Sequence, residues 1–178
     1  MGSWGVRAHE SDYGLNLLIV AENSYLRGVK YKTFHIKHIL EILRSNIIDE
    51  FAKESIGWDA HYIDFFYDYT FHYKYAHVVM LVAECFAEYR QKGKYLIRDY
   101  DKDRTRRIAT FIYTDIDLET LWTELQSILD PEHALYDSWK DSESFEKWQS
   151  HLKMLCESLK AAVDTKPPSE QEGGDGNG

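Results

Sequence analysis

Tyr73–Gly93, YKYAHVVMLVAECFAEYRQKG, is the stretch whose reading decides the fold. Between Ala76 and Ala87 the only polar side chains are His77, Glu84 and, weakly, Cys85. A helix made from it is apolar on nearly every face and has to be enclosed by other helices. Val78, Val79, Val82, Cys85, Phe86 and Tyr89 share one face, while Ala76, Met80, Ala83 and Ala87 form a second, mostly small stripe where a neighbour comes close. Each enclosed Val, Leu or Phe contributes about 1.5–3 kcal/mol before entropy is subtracted. Arg90, Gln91 and Lys92 followed by Gly93 make a stop signal, with cations at the negative end of the helix dipole and then a residue that tolerates the left-handed conformation.

Upstream, nine of the eighteen residues from Trp58 to Tyr75 are aromatic, and two periods compete there. Tyr67, Tyr69, Phe71, Tyr73 and Tyr75 alternate with polar residues as a half-exposed strand would, yet Tyr62, Phe65, Phe66, Tyr69 and Tyr73 fit a helix equally well. The reading adopted is a helix over about 59–67, an extended connector over 68–72, and then the core helix. Before it, Thr33 caps an amphipathic helix in which Ile36, Ile39, Leu40, Leu43, Ile47 and Phe51 recur at helical spacing, and Gly57 closes it. Ser11 and Asp12 cap a first helix running to about Glu22, which Gly14 weakens.

Downstream, residues 94–114 predict a small β-hairpin, with a turn at Asp99–Asp103 and a second strand at Ile108–Thr114; a helix from Asp103 competes with it. Asp117 caps a helix carrying Leu118, Leu121, Trp122, Leu125 and Leu129, and Pro131 opens a short helix. Ser142 caps the last helix, whose stripe is Phe145, Trp148, Leu152, Leu155, Cys156, Leu159 and Val163. From Lys166 to Gly178 the chain is Pro, Ser, Glu and Gly with nothing to bury, which predicts a disordered tail. The expected fold is therefore mainly α: a single-domain helical bundle over residues 1–165 around a buried central helix at about 73–92.

The net charge of −9 on 178 residues argues against duplex nucleic acid as a partner of the whole surface and for a basic protein. It is unevenly spread: +2 over residues 1–44, −6 over 45–89, +5 over 90–114 and −10 over 115–178. The opening MGSWGVRAHESDYG has no apolar run after a basic start, and no apolar stretch is long enough for a membrane span, so a cytoplasmic protein away from membranes is expected. Val6 stands where a myristoylation pattern after Gly2 needs Ser or Thr. Cys85 and Cys156 fall on apolar helix faces and read as reduced core thiols.

Several constellations invite chemistry. His35 and His38 lie at i, i+3, and His61, Asp64 and Asp68 would share one helical face, weak candidates for a metal-dependent hydrolase. Neither has a specific metal-ligand spacing, so no cofactor is expected. Glu84 and Glu88, at i, i+4 on the core helix, could serve as a general acid/base pair, but the favoured reading is structural: they mark the helix's one solvent edge or meet cations from a neighbour, such as Arg104–Arg107. Arg98, Lys102, Arg104, Arg106 and Arg107, interleaved with tyrosines, have the composition of a nucleic-acid contact, although Asp99, Asp101 and Asp103 alternate with them. Internal pairing with the acidic C-terminal third is the competing reading. Finally, Asp137, Asp141, Glu143 and Glu146 stand close to Tyr136 and Trp139, acids at phosphate-like spacing beside rings that anchor interfaces.

Met1, Gly2, Trp4, Gly5, Ser11 and Asp12, with Leu15 and Leu18 behind them, resemble the opening of small bacterial proteins of unknown function that begin Met-Gly-Xaa-Trp-Gly. The resemblance covers about twenty residues, and Asn16 departs from the acidic residue that pattern has. It implies a bacterial or phage origin and no catalytic residues. In composition the chain is also similar to the acidic anti-CRISPR and anti-restriction inhibitors, those of the type II CRISPR nuclease included. The function expected is a non-enzymatic binder that inhibits a basic nucleic-acid-handling protein such as a nuclease, with a toxin-neutralising immunity protein as the alternative binder.

Overall fold

The computed structural model describes residues 5–11, 14–19, 33–54, 60–93, 95–99, 104–108 and 110–164. In chain order these form a 3-10 turn Ala8–Glu10, helix α1 over 14–19, strand β1 Thr33–His35, α2 Ile36–Glu54, α3 Ala60–Lys92, strands β2 Tyr95–Asp99, β3 Arg104–Ile108 and β4 Thr110–Ile112, then α4 Asp115–Ile128, α5 Ala134–Trp139 and α6 Phe145–Asp164. Helices dominate, and they gather around α3. Trp4, Asp12, the basic link 27–32 and the tail 166–178 lie outside the described residues.

Every residue from Ala76 to Glu84 is buried, which requires cover on all sides of the helix. That cover comes from the 3-10 turn, α2, α4, α5 and α6, all of which contact α3, while α4 also packs along α6. From α2 the core takes Ile36, Ile39, Leu43 and Ile47; from α4, Leu118, Leu121, Leu125 and Ile128; from α6, Trp148, Leu152, Leu155, Cys156 and Leu159. Among the described residues no helix is long and apolar enough to cross a membrane.

The connector expected over 68–72 does not exist: α3 runs unbroken from Ala60 to Lys92. Its aromatic rings obey the helical period rather than the alternating one. Phe71 stacks on Tyr75 one turn later, with centroids 5.6 Å apart and planes 12° from parallel. Tyr73 packs on His77 in the same i, i+4 relation at 4.9 Å. The Arg44 guanidinium of α2 covers both Phe71 and Tyr75, 5.7 and 5.9 Å from their centroids. Lys74, only 8% exposed, is held 3.3 Å from Glu50 of α2, which also accepts from Asn46.

The hairpin is present, but its second strand is Arg104–Ile108, which pairs antiparallel with β2 from Tyr95↔Ile108 to Asp99↔Arg104. The residues assigned to that strand from sequence instead supply β4, which pairs parallel with β1 through Thr33↔Thr110, Phe34↔Phe111 and His35↔Ile112. Thr33 is therefore strand rather than helix cap, and α2 starts three residues later. Phe111 closes on Phe34 at 5.4 Å and on Tyr89 at 5.1 Å, and Tyr113 meets Phe86 edge-on at 5.0 Å, so rings fasten the ribbon to the C-terminal half of α3. Gly93 ends α3 at φ 65°, in the conformation that favours glycine.

Three caps differ from expectation. Thr114 rather than Asp117 caps α4; Asp117 answers it as the third helical residue, its Oδ2 accepting from the Thr114 backbone N–H at 2.7 Å. His133 caps α5, its Nδ1 accepting from the Leu135 N–H at 3.1 Å, and this leaves Pro131 in the preceding turn. Trp122, counted toward the α4 stripe, is 39% exposed and lines a shallow groove with Leu159 and Val163 of α6.

Candidate functional site

Glu84 and Glu88 part company in the fold. Glu88 points outward and pairs with Lys92 one turn on, at 2.8 Å. Glu84 is 4% exposed, and the side chains of Arg104–Arg107, expected to meet it, lie outside the described residues. Its Oε1 accepts from the Ala8 backbone N–H at 2.8 Å and from His151 Nε2 at 2.7 Å. A buried carboxylate requires such donors, since an ionised oxygen taken from water without replacement costs several kcal/mol. Glu84 thus ties the N-terminal arm and α6 to the C-terminal half of α3. His77, one helical repeat earlier, gives its Nδ1–H to the Tyr73 carbonyl at 2.9 Å. Burial pushes the His77 pKa down, and the Tyr73 carbonyl and Glu84 only partly oppose it.

The arm is shaped for this attachment. Ser11 Oγ donates to the Ala8 carbonyl at 2.8 Å and accepts from the Gly14 N–H at 3.0 Å, so Ser11 does open α1. Gly14, read as a weak point of that helix, lets the backbone turn back on itself. A β-carbon there would overlap the Ala8 carbonyl. Glu10 accepts from the Arg7 N–H at 2.9 Å and fixes the turn that presents Ala8.

Beside Glu84, the arm, α3 and α6 enclose a groove of about 510 Å³. His151 and Arg7 line it with Lys92, and Ala87, Met154 and Leu155 form its apolar wall. Sequence reasoning missed His151. The signal was there: it follows Trp148 by three residues and precedes Leu155 by four, which puts an imidazole on the apolar stripe of α6.

The second candidate is the acidic corner between α5 and α6. Trp148 is fully buried, and its indole N–H has no partner among the described residues. Trp139 lies flat on it, with centroids 5.7 Å apart and planes 4° from parallel; Phe145 stacks at 5.9 Å, and Tyr136 meets Phe145 edge-on at 5.1 Å. Tyr136 and Trp139 are partly buried against the core, so the outermost groups here are the carboxylates. Asp137 pairs with Lys140, whose pKa is raised by that hydrogen bond. Asp141, Glu143 and Glu146 are exposed, and among the described residues no lysine or arginine stands within ion-pair distance of them. Glu143 precedes α6, where the expected first helical turn would have included it.

For the remaining candidates, the His35 and His38 rings lie 5.1 Å apart at the β1–α2 junction. Among the described residues no group of three or more His, Cys, Asp or Glu side chains is placed to hold a metal ion. His61, Asp64 and Asp68 belong to α3, but their side chains lie outside the described residues. Arg98 lies in β2 and Arg104, Arg106 and Arg107 in β3, again without described side chains, and Lys102 lies outside the described residues. Neither Cys85 nor Cys156 forms a disulfide; Cys156 is buried, and that burial raises its pKa.

Compared with known proteins, the chain matches no family model, no curated protein and no solved structure.

Proposed function

We propose that this chain is a non-enzymatic acidic binding protein that occupies a basic, nucleic-acid-handling surface of another protein and inhibits it, in the manner of an anti-CRISPR or anti-restriction inhibitor. The observation that carries the reading is the corner formed by Asp137, Asp141, Glu143 and Glu146. From Asp115 to Asp164 the chain holds twelve carboxylates against four lysines, and ten of the twelve are exposed. Those at the corner lie close in sequence to a packed ring cluster in which Trp139 stacks on buried Trp148. Complementary charge of this kind speeds encounter and selects the partner more than it deepens affinity.

The test is titration of a purified type II CRISPR nuclease with the wild-type chain and with the combined D137K, D141K and E143K variant. Wild-type association should weaken steeply as salt rises past the range where the Debye length is about 10 Å. The triple reversal should slow association by about tenfold or more. Binding at low salt that ignores all three reversals would remove the phosphate-mimicking reading, and absence of any binding would remove the nuclease as the target.

A further inference from the structure

We propose that the groove between the N-terminal arm, α3 and α6 binds the carboxylate of a small organic acid, a site separate from the acidic corner. Its charges sort into satisfied and unsatisfied. Glu84 is engaged by Ala8 N–H and His151, and Glu88 by Lys92. The Arg7 guanidinium is exposed, lines the same groove and, among the described residues, meets no carboxylate within ion-pair distance. One cationic fork is thus left over, with the geometry that suits a planar carboxylate.

His151 lines the same groove beside Arg7. Its Nε2–H is committed to Glu84, an arrangement that fixes ring orientation and leaves Nδ1 without a partner among the described residues. Ala87, Leu155 and the half-exposed Met154 offer an apolar wall to the body of the acid. The volume of about 510 Å³ falls within the range of small-molecule sites, about 300–1,000 Å³.

The experiment is a chemical-shift titration of the isotope-labelled full chain with sodium acetate and with sodium benzoate, ionic strength being held constant with sodium chloride. Saturable shifts centred on Arg7, Lys92 and His151 are expected, with benzoate binding several-fold more tightly than acetate because its ring covers the apolar wall. Arg7→Gln, at an exposed position that leaves the Glu84 contacts in place, should weaken benzoate about tenfold. Met154→Gln should narrow the gap between the two acids while leaving acetate unchanged. Shifts that rise linearly without saturation would overturn the site. Equal affinity of Arg7→Gln and wild type, or of acetate and benzoate, would overturn it too.

Discussion

Removing the Glu84 carboxylate should be among the most damaging single changes available to this fold. In Glu84→Ala the His151 ring and the Ala8 N–H lose an acceptor at 2.7 and 2.8 Å, and the side chains of the pair are only 2% and 12% exposed, so water cannot readily replace it. Each buried donor left without its acceptor, the His151 N–H and the Ala8 N–H, costs about 1–3 kcal/mol. Against a typical domain stability of about 5–15 kcal/mol, the variant should unfold at far lower urea. Equilibrium urea unfolding followed by circular dichroism measures this, and a cycle of Glu84→Gln, His151→Gln and the double variant isolates the pair. The coupling should exceed about 1 kcal/mol, as expected for contacting groups in one network. A coupling below about 0.3 kcal/mol, the level of independent sites, would refute the idea that Glu84 and His151 hold each other. Amide exchange gives a second readout, in which Ala8 N–H should lose protection in Glu84→Ala before the core helices do.

Three further outcomes follow from the same contacts. Thr70→Pro should cost about 3 kcal/mol or more because it breaks α3 mid-span, whereas an extended segment there would absorb it; thermal unfolding decides between the two. Gly14→Ala should lower stability by about 1–3 kcal/mol through the clash with the Ala8 carbonyl, and wild-type stability in urea would contradict the tight return of the arm. The lowered pKa values of buried His77 and half-buried His133 mean that the unfolded chain takes up protons that the folded chain refuses. Stability is therefore retained above the unfolded histidine pKa of about 6.5 and lost as pH falls below it, by at most about 1.4 kcal/mol per pH unit for each group. His77→Gln should flatten that slope in urea titrations across this range.

What the sequence disclosed depended on the range of the interaction. The core helix was legible because Ala76–Ala87 has almost no polar residue to place outward, and the α6 stripe from Trp148 to Leu159 repeats at a single period. Between Tyr67 and Tyr75 the aromatic residues satisfied periods of 2 and 3.6 together, and only the partner surface of α2, with Arg44 over Phe71 and Tyr75, decides for the helix. The parallel pairing of β1 with β4 and the meeting of Glu84 with His151 join residues far apart in the chain, and neither end carries a local mark of the other. The second role of Gly14 was hidden for a related reason. Its value lies in what it avoids touching, and helix propensity does not measure that.

Because Glu84 waits for His151, the order in which the chain leaves the ribosome matters. Sixty-six residues lie between Glu84 and His151, so the Ala8 N–H can reach the carboxylate before that imidazole is synthesised. A nascent chain stalled before α6 would keep one flank of α3 open to water and to proteases, and the last helix to emerge would close it. Limited proteolysis of such stalled chains, with and without α6 extruded, should show that closure as a sudden gain in resistance.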